Sequence, residues 1–162
     1  MCHPGNMSNP RHTTHADPVW RHRSNWIVQV DLTPYGFDAD TFEQLWVRTD
    51  DESSFEVCCI PFFTYGIALG DLIELDRDSR VASVVHRSGR KVIRVAFGGR
   101  AEAAIRHEQL HGLLVTSGAL HEFSSSGYVS VDLQDQRQAD AVVSALQPLV
   151  DAGAIMWEWG SE

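Results

Sequence analysis

The sequence has few cysteines, no long apolar run and a shortage of positive charge. Its 162 residues include three cysteines, Cys2, Cys58 and Cys59. The number is odd, and adjacent residues of a strand point to opposite faces, so no disulfide framework is predicted. No apolar run is long enough to cross a membrane, and the first residues lack the apolar stretch of a secretion signal. We therefore expect a soluble, globular protein located in the cytoplasm, with no membrane partner.

The excess of negative charge bears on the class of partner. Lys and Arg number 13 and Asp and Glu number 22, so the formal net charge is −9 at pH 7 with His neutral. Binding to nucleic-acid phosphates depends on clustered Lys and Arg side chains, so no nucleic-acid partner is expected. An acidic surface instead favours a basic protein as the partner.

Three regions of the chain differ in their pattern. Residues 1–24 are rich in His, Pro, Asn, Ser and Thr and show no periodicity, which predicts a disordered His-rich tail. Residues 25–88 hold several short alternating segments separated by glycine turns, which predict a small β-barrel-like or curved antiparallel sheet. Residues 89–160 follow the order β-α-β-β-α-β, which predicts a ferredoxin-like unit. The fold class expected is α+β.

The second predicted helix has the clearest apolar stripe. Its apolar residues recur at spacings of three and four, which places them on one face: Ala139, Val142, Val143, Leu146, Leu149 and Val150. Pro148 cannot donate a helical hydrogen bond, so we expect a kink or an early end near Leu146. Gly153 is expected to end the helix before the last strand.

Four segments of the sequence resemble one bacterial family. They are "FEQLWV", "IPFFTYGIALGDLIEL", "HRSGRKVIRVAF" and "GAIMWEWG". The most specific is the second, in which Pro61-Phe62-Phe63 precedes Tyr65-Gly66 and Gly70-Asp71. Over roughly residues 26 to 160 the chain resembles the family termed domain of unknown function 4265. The resemblance implies a bacterial, soluble protein of two parts, and it brings no reaction and no catalytic residues.

The segment His107-Glu108-Gln109-Leu110-His111 matches the His-Glu-x-x-His pattern of zinc proteases. Two His side chains four residues apart on a helix can bind one ion, and Glu108 can deprotonate a zinc-bound water. Leu114 and Ser117 replace the Gly and His that extend this motif in metzincins, which excludes that subclass. A third ligand would have to come from residues further along the chain: His121, Glu122, Asp132 or Asp135.

The same helix has two apolar sides. Ala103, Leu110 and Leu114 lie on one side, with His107 inside their arc and His111 at its edge. If this side packs on the sheet, a metal ion would compete with core side chains. The other side also carries apolar residues, so the opposite orientation stays open: Ala101, Ala104, Ile105 and Val115.

Aromatic residues supply the remaining candidates for ligand or partner binding. Phe62, Phe63 and Tyr65, with Asp71, either line a pocket or belong to the core and turns of the first sheet. Trp157 and Trp159 share one face of the last strand, which either the helices or a partner would cover.

Three functions remain open. The negative charge and the lack of a complete catalytic set favour a non-enzymatic protein-binding module without a cofactor, such as an immunity or antitoxin-type protein that masks a basic toxin. The alternative is a zinc hydrolase with His107 and His111 as ligands and Glu108 as the general base. A third is a sensor that binds a small molecule between the two halves, near Tyr65 and Asp71.

Overall fold

The computed structural model describes residues 9–98 and 103–161. These form a mixed α+β fold in which ten strands make two sheets and two α-helices lie along the second sheet. The strands are β1 (Arg11–Thr13), β2 (Trp26–Asp31), β3 (Thr41–Arg48), β4 (Phe55–Val57), β5 (Leu72–Leu75), β6 (Val81–His86), β7 (Lys91–Phe97), β8 (His121–Ser125), β9 (Tyr128–Leu133) and β10 (Ile155–Ser161). The helices are α1 (Ala103–Ser117) and α2 (Gln136–Asp151). Among the described residues no helix is long and apolar enough to cross a membrane.

Strand β3 organises the first sheet. It pairs with antiparallel β2 along its length, with parallel β1 near its start and with antiparallel β4 near its end. Strands β5 and β6 then continue from β4. The alternation of side chains along a strand gives this sheet one apolar face, whose buried residues include Val28, Val30, Leu45, Val47, Phe55, Val57 and Ile73. Within the described residues neither sheet is closed into a barrel.

The second sheet has the antiparallel strand order β10-β7-β9-β8. Its apolar face forms a core with α1 and α2 that includes Ile93, Val95, Leu110, Leu114, Val129, Val131, Ala139, Val142 and Leu146. The predicted boundary between residues 88 and 89 falls between β6 and β7, which belong to different sheets. The opposite face of this sheet carries charged side chains, and these contact the loop after β4.

The prediction of a disordered tail over residues 1–24 is wrong for residues 9–24. Strand β1 pairs with β3, and the backbone N–H of Trp20 donates to the carbonyl of Cys58 at 3.1 Å. His15 is only 3% exposed. Polar contacts with distant residues order this segment. Such contacts leave no apolar periodicity in the sequence, so the order could not be predicted from it. Cys2 and His3 lie outside the described residues.

Helix α2 ends later than its proline predicts. It runs to Asp151 with Pro148 inside, so of the two expected effects of Pro148, a kink or an early end near Leu146, the early end is wrong. Pro148 lies on the exposed side of the last turn, where water can satisfy the carbonyl that loses its helical partner. Gly153 follows with φ of 67°, a left-handed conformation that favours glycine, and it ends the helix as predicted.

Helix α1 packs by the side that carries Leu110 and Leu114, both fully buried. Val115, on the opposite side, is 60% exposed. The open question of orientation is thereby settled in favour of the side that contains His107. The side chains of Ala101, Ala104 and Ile105 lie outside the described part of the chain.

Candidate functional site

A buried histidine joins the two sheets through two carboxylates. His15 Nδ1 lies 2.5 Å from Oε2 of Glu122 on β8, and its Nε2 lies 3.2 Å from Oε1 of Glu43 on β3. The histidine side chain is fully buried, and the carboxylates are almost so. Its ring stacks on that of Phe62, with centroids 4.2 Å apart. We call His15, Glu43 and Glu122 the His15 network.

Backbone N–H groups of the loop after β4 satisfy the carboxylates of this network. Glu43 accepts hydrogen bonds from the N–H groups of residues 62–64 and from the Thr64 hydroxyl. Glu122 accepts from the N–H groups of Val19 and Ile60, at 3.0 and 2.9 Å. The buried charges therefore hold the loop and the N-terminal segment in place.

Burial and charge act in opposite directions on the pKa values in the network. Burial alone would lower the pKa of His15, but the adjacent Cys59 sulfur and the two carboxylates raise it to about 12. Burial alone would raise the pKa of Glu43, but the hydrogen bond and charge of His15 hold that pKa below its usual value. Burial also raises the pKa of the Cys59 thiol. His15 and Glu43 are thus both charged at neutral pH, and the three side chains form a buried structural link.

The structure does not gather the zinc-motif residues into a metal centre. The rings of His107 and His111 have centroids 6.5 Å apart, and His107 lies 4.2 Å from the ring of Phe123. Glu108 is exposed on α1. In the described part of the chain, no group of three or more His, Cys, Asp or Glu side chains is arranged to hold a metal ion.

A pair of histidines does form at this position. His111 Nδ1 lies 3.0 Å from Nε2 of His121, one of the residues considered as a third zinc ligand. The pair lines a cavity of about 300 Å³ beside Asp17 and Glu122. The carboxylate of Glu122 already accepts hydrogen bonds from His15 and from backbone N–H groups of the same chain, so it is not free at this cavity.

The aromatic residues of the central segment separate into different roles. Phe62 is buried against His15, and Phe63 stacks on Tyr128 with centroids 5.3 Å apart. Tyr65 is half-exposed, and its hydroxyl donates to Glu158 at 2.7 Å. Of these three side chains, that of Tyr65 is therefore the one open to solvent.

Asp71 has a structural role instead. Its buried carboxylate accepts hydrogen bonds from the backbone N–H groups of Ala68 and Ser88, at 2.9 and 2.7 Å. It thereby fixes the turn before β5 against the turn between β6 and β7. Among the described residues no contact joins Tyr65 to Asp71, and a shared pocket lined by both stays a prediction.

Trp157 and Trp159 pack edge to face, with centroids 5.6 Å apart, and both are partly buried against the core beneath the helices. Of the two explanations for this face, cover by the helices is the one observed. Trp157 also lines a cavity of about 310 Å³ at β10, together with Arg94, Tyr128 and Glu158. Burial raises the pKa of Tyr128 to about 12, and its hydroxyl donates to the carbonyl of Phe62 at 2.9 Å.

Acidic side chains gather at one end of the first sheet. The turn between β3 and β4 carries Asp50, Asp51 and Glu52, and the turn between β5 and β6 carries Asp76 and Asp78. The two turns border a cavity of about 250 Å³, which Trp26 also lines. We call these two turns with Trp26 the acidic end.

Three buried polar residues were not predicted from the sequence, His15, Glu43 and Arg94, and Glu122 was considered only as a possible third zinc ligand. Two of them left a signal, because Glu43 occupies the same side of β3 as Leu45, and Arg94 lies between apolar residues of β7. A lone charge at a buried strand position indicates a paired or functional group. His15 and Glu122 left none, because their partners are far away in the sequence.

Comparison with known proteins gives a family and a fold. A family model described as "Domain of unknown function (DUF4265)" matches residues 43–157. The chain is also similar to a crystal structure described as "Novel crystal structure of a hypothetical protein from Neisseria gonorrhoeae", with a TM-score of 0.66 and 16% identity over 83% of this chain and 93% of that chain. That likeness concerns the fold alone. None of the curated proteins matches the sequence. Because the family model spans well over half of its residues, the chain belongs to the family termed domain of unknown function 4265.

Proposed function

We propose that this protein is a non-enzymatic binding module whose acidic end docks a basic protein, in the manner of an immunity or antitoxin-type protein that masks a basic toxin. The observation that carries the proposal is the pairing of acidic turn tips with an exposed aromatic residue. Trp26 is 45% exposed and borders the same cavity as Glu52 and Asp76. Tryptophan is enriched at interface centres, and polar residues form the rim around them.

The distribution of charge supports this surface as the partner site. The buried carboxylates are matched inside the protein, as by His15 and by Arg90, which lies 2.6 Å from Asp132. On the surface of the described residues, exposed Asp and Glu outnumber exposed Arg and Lys. The field outside the protein is therefore negative, and it would accelerate association with a cationic partner.

Backbone strain at the turn tips adds a second argument. Glu52 and Ser79 have φ of 57° and 59°, in the left-handed region that glycine adopts most easily. Both residues line the cavity of the acidic end. A non-glycine residue at a position where glycine would relieve backbone strain is typical of functional sites. In the described part of the chain, no hydrogen bond is seen to the carboxylate of Glu52, which leaves it available to a partner.

The finer architecture and the location belong to the same proposal. We propose that residues 89–160 are ferredoxin-like, which the strand order β10-β7-β9-β8 supports. We also propose that the first sheet is barrel-like, which the bridge between Gln29 and Arg80 supports by bringing β2 near β6. The module would act in the bacterial cytoplasm.

The test compares two sets of three charge removals. Asp50→Asn, Glu52→Gln and Asp78→Asn remove three of the five acidic charges of the acidic end and leave Asp51 and Asp76, whose carboxylates hold their own turns. The matched control removes three exposed charges from the helices: Glu108→Gln, Asp140→Asn and Asp151→Asn. The probe is protamine, an arginine-rich polypeptide, titrated by calorimetry.

We expect the acidic-end variant to weaken protamine binding by about tenfold and the helix control by much less, since each exposed ion pair contributes up to about 1 kcal/mol. An equal effect of both sets would show that only net charge matters and would refute the proposed surface. Glu52→Gly refines the test. It should stabilise the fold by about 1 kcal/mol through relief of the left-handed strain while it weakens binding.

A further inference from the structure

Arg94 is a buried cation whose hydrogen bonds are incomplete. It lies in the middle of β7, between Glu158 on β10 and Ser130 on β9, and it is 2% exposed. One of its terminal nitrogens donates to the carbonyl of Thr64, and its guanidinium carbon lies 4.2 Å above the ring of Tyr65. Within the described residues, neither Arg94 Nε nor the hydroxyl of Ser130 has a hydrogen-bond partner. Such unmatched buried polar groups are uncommon in structures and require an explanation.

A cavity opens at this arginine. Its volume is about 310 Å³, and the described residues that line it combine a cation and an anion with apolar and aromatic groups: Arg94, Ala96, Tyr128, Met156, Trp157 and Glu158. Met156 is 69% exposed, so one wall is formed by a flexible apolar side chain that faces solvent. The volume lies at the small end of the range for ligand pockets, which indicates a compact ligand.

The acidic residue at this cavity is held near the arginine but is not locked to it. Arg94 Nη1 lies 3.8 Å from Oε1 of Glu158, which is longer than a hydrogen bond, and the same oxygen accepts the hydroxyl of Tyr65 at 2.7 Å. The Glu158 side chain is about half exposed. A ligand that carried only a carboxylate would gain Arg94 and be repelled by Glu158.

We propose that this cavity binds a small zwitterion, an α-amino acid with an apolar side chain. Its carboxylate would pair with Arg94, its ammonium group with Glu158, and its side chain would lie against Met156 and Trp157. The two charges of an α-amino acid are separated by a single carbon, which suits the short distance between these residues. This site is separate from the acidic end and does not depend on the function proposed for it.

The close approach of Gly160 to the guanidinium provides a way to perturb the site. A Cβ placed on Gly160 would lie 2.9 Å from Arg94 Nε. Gly160→Ala therefore shifts Arg94 without removing its charge. It is a second route to disturbing the site if replacement of the buried arginine prevents folding.

The experiment is calorimetric titration with L-leucine, with its deaminated analogue 4-methylpentanoate and with its decarboxylated analogue isopentylamine. We expect saturable binding of L-leucine and at least about tenfold weaker binding of either analogue, since each lacks one charged contact. Glu158→Gln should weaken L-leucine and strengthen 4-methylpentanoate, because it removes the repulsion of the carboxylate. Gly160→Ala should weaken L-leucine, and Asp140→Asn on α2 should change nothing.

Several outcomes would overturn the proposal. One is the absence of heat with L-leucine. Another is L-leucine binding that survives both Glu158→Gln and Gly160→Ala. A third is 4-methylpentanoate binding as tightly as L-leucine, which would make the site a plain carboxylate site.

Discussion

His15 carries its charge in the interior because a carboxylate lies at each of its ring nitrogens. Removing one member of a buried ionic group leaves the others without a counter-charge, which costs more than the intact group contributes. Glu43 and Glu122 come from different sheets. Because the charge of His15 lies between their carboxylates, it also reduces the repulsion between them. The residue that was hardest to predict is thus the one that links the most distant parts of the chain.

His15→Ala is expected to lower the free energy of unfolding by about 3–5 kcal/mol, because two buried carboxylates lose their shared cation. Urea denaturation measures this change. His12→Ala, on exposed β1, is the control and should cost about 0.5 kcal/mol or less. Adding Glu43→Gln and Glu122→Gln to His15→Ala should recover part of the loss. An equal loss of unfolding free energy in His15→Ala and His12→Ala would show that the network does not stabilise the fold.

The same residues set a pH window for stability. Because the pKa of His15 is raised on folding, the charged histidine adds to the free energy of unfolding. This contribution is at its maximum below pH 6.5, the ordinary pKa of histidine, and declines as the pH rises toward about 12. The lowered pKa of Glu43 gives stability that is complete above its ordinary value of 4.5 and is lost as the pH falls through its lowered value. From these two groups, the free energy of unfolding should be greatest between pH 4.5 and 6.5.

Urea titrations from pH 4 to 9 check the pH window. Above pH 7 the contribution of His15 should fall by about 1.4 kcal/mol per pH unit. His15→Gln should abolish this alkaline decline and leave other pH effects in place. A decline of the same slope in His15→Gln would contradict the assignment.

The packing side of a helix was predictable where the helix has one apolar stripe, and it was not where the helix has two apolar sides. The one apolar stripe of α2 predicted its packing side correctly, with Val142 and Leu146 buried. The two apolar sides of α1 left its orientation open, because periodicity alone cannot tell which side a sheet covers. Trp157 was a candidate in the sequence and lines a cavity, whereas Arg94 was missed because charged strand residues usually face solvent.

The orientation of α1 can be tested by two neighbouring substitutions. Leu114→Ala creates a cavity in the core beneath the helix and should cost about 2–5 kcal/mol. Val115→Ala removes an exposed side chain and should change the free energy of unfolding by less than about 0.5 kcal/mol. Thermal or urea unfolding distinguishes them. A reversed order of the two costs would mean that the helix packs by its other side.

For the whole molecule, the division of charge between the inside and the outside is the feature that bears on function. Buried carboxylates are matched by His15 and Arg90 or by backbone N–H groups, and this matching joins the two sheets. The remaining acidic residues lie outside, and those of the acidic end surround an exposed tryptophan. Net charge was readable from composition, but its location required the fold, because the two acidic turns are more than twenty residues apart in the sequence.

The most direct measurement is hydrogen exchange of the backbone with and without protamine, at low and at high salt. We predict slower exchange on binding in residues 49–54 and 76–80, little change in α2, and loss of the protection at high salt because ions screen exposed charges. Protection spread evenly over the surface, or protection that persists at high salt, would contradict a basic partner docked at the acidic end.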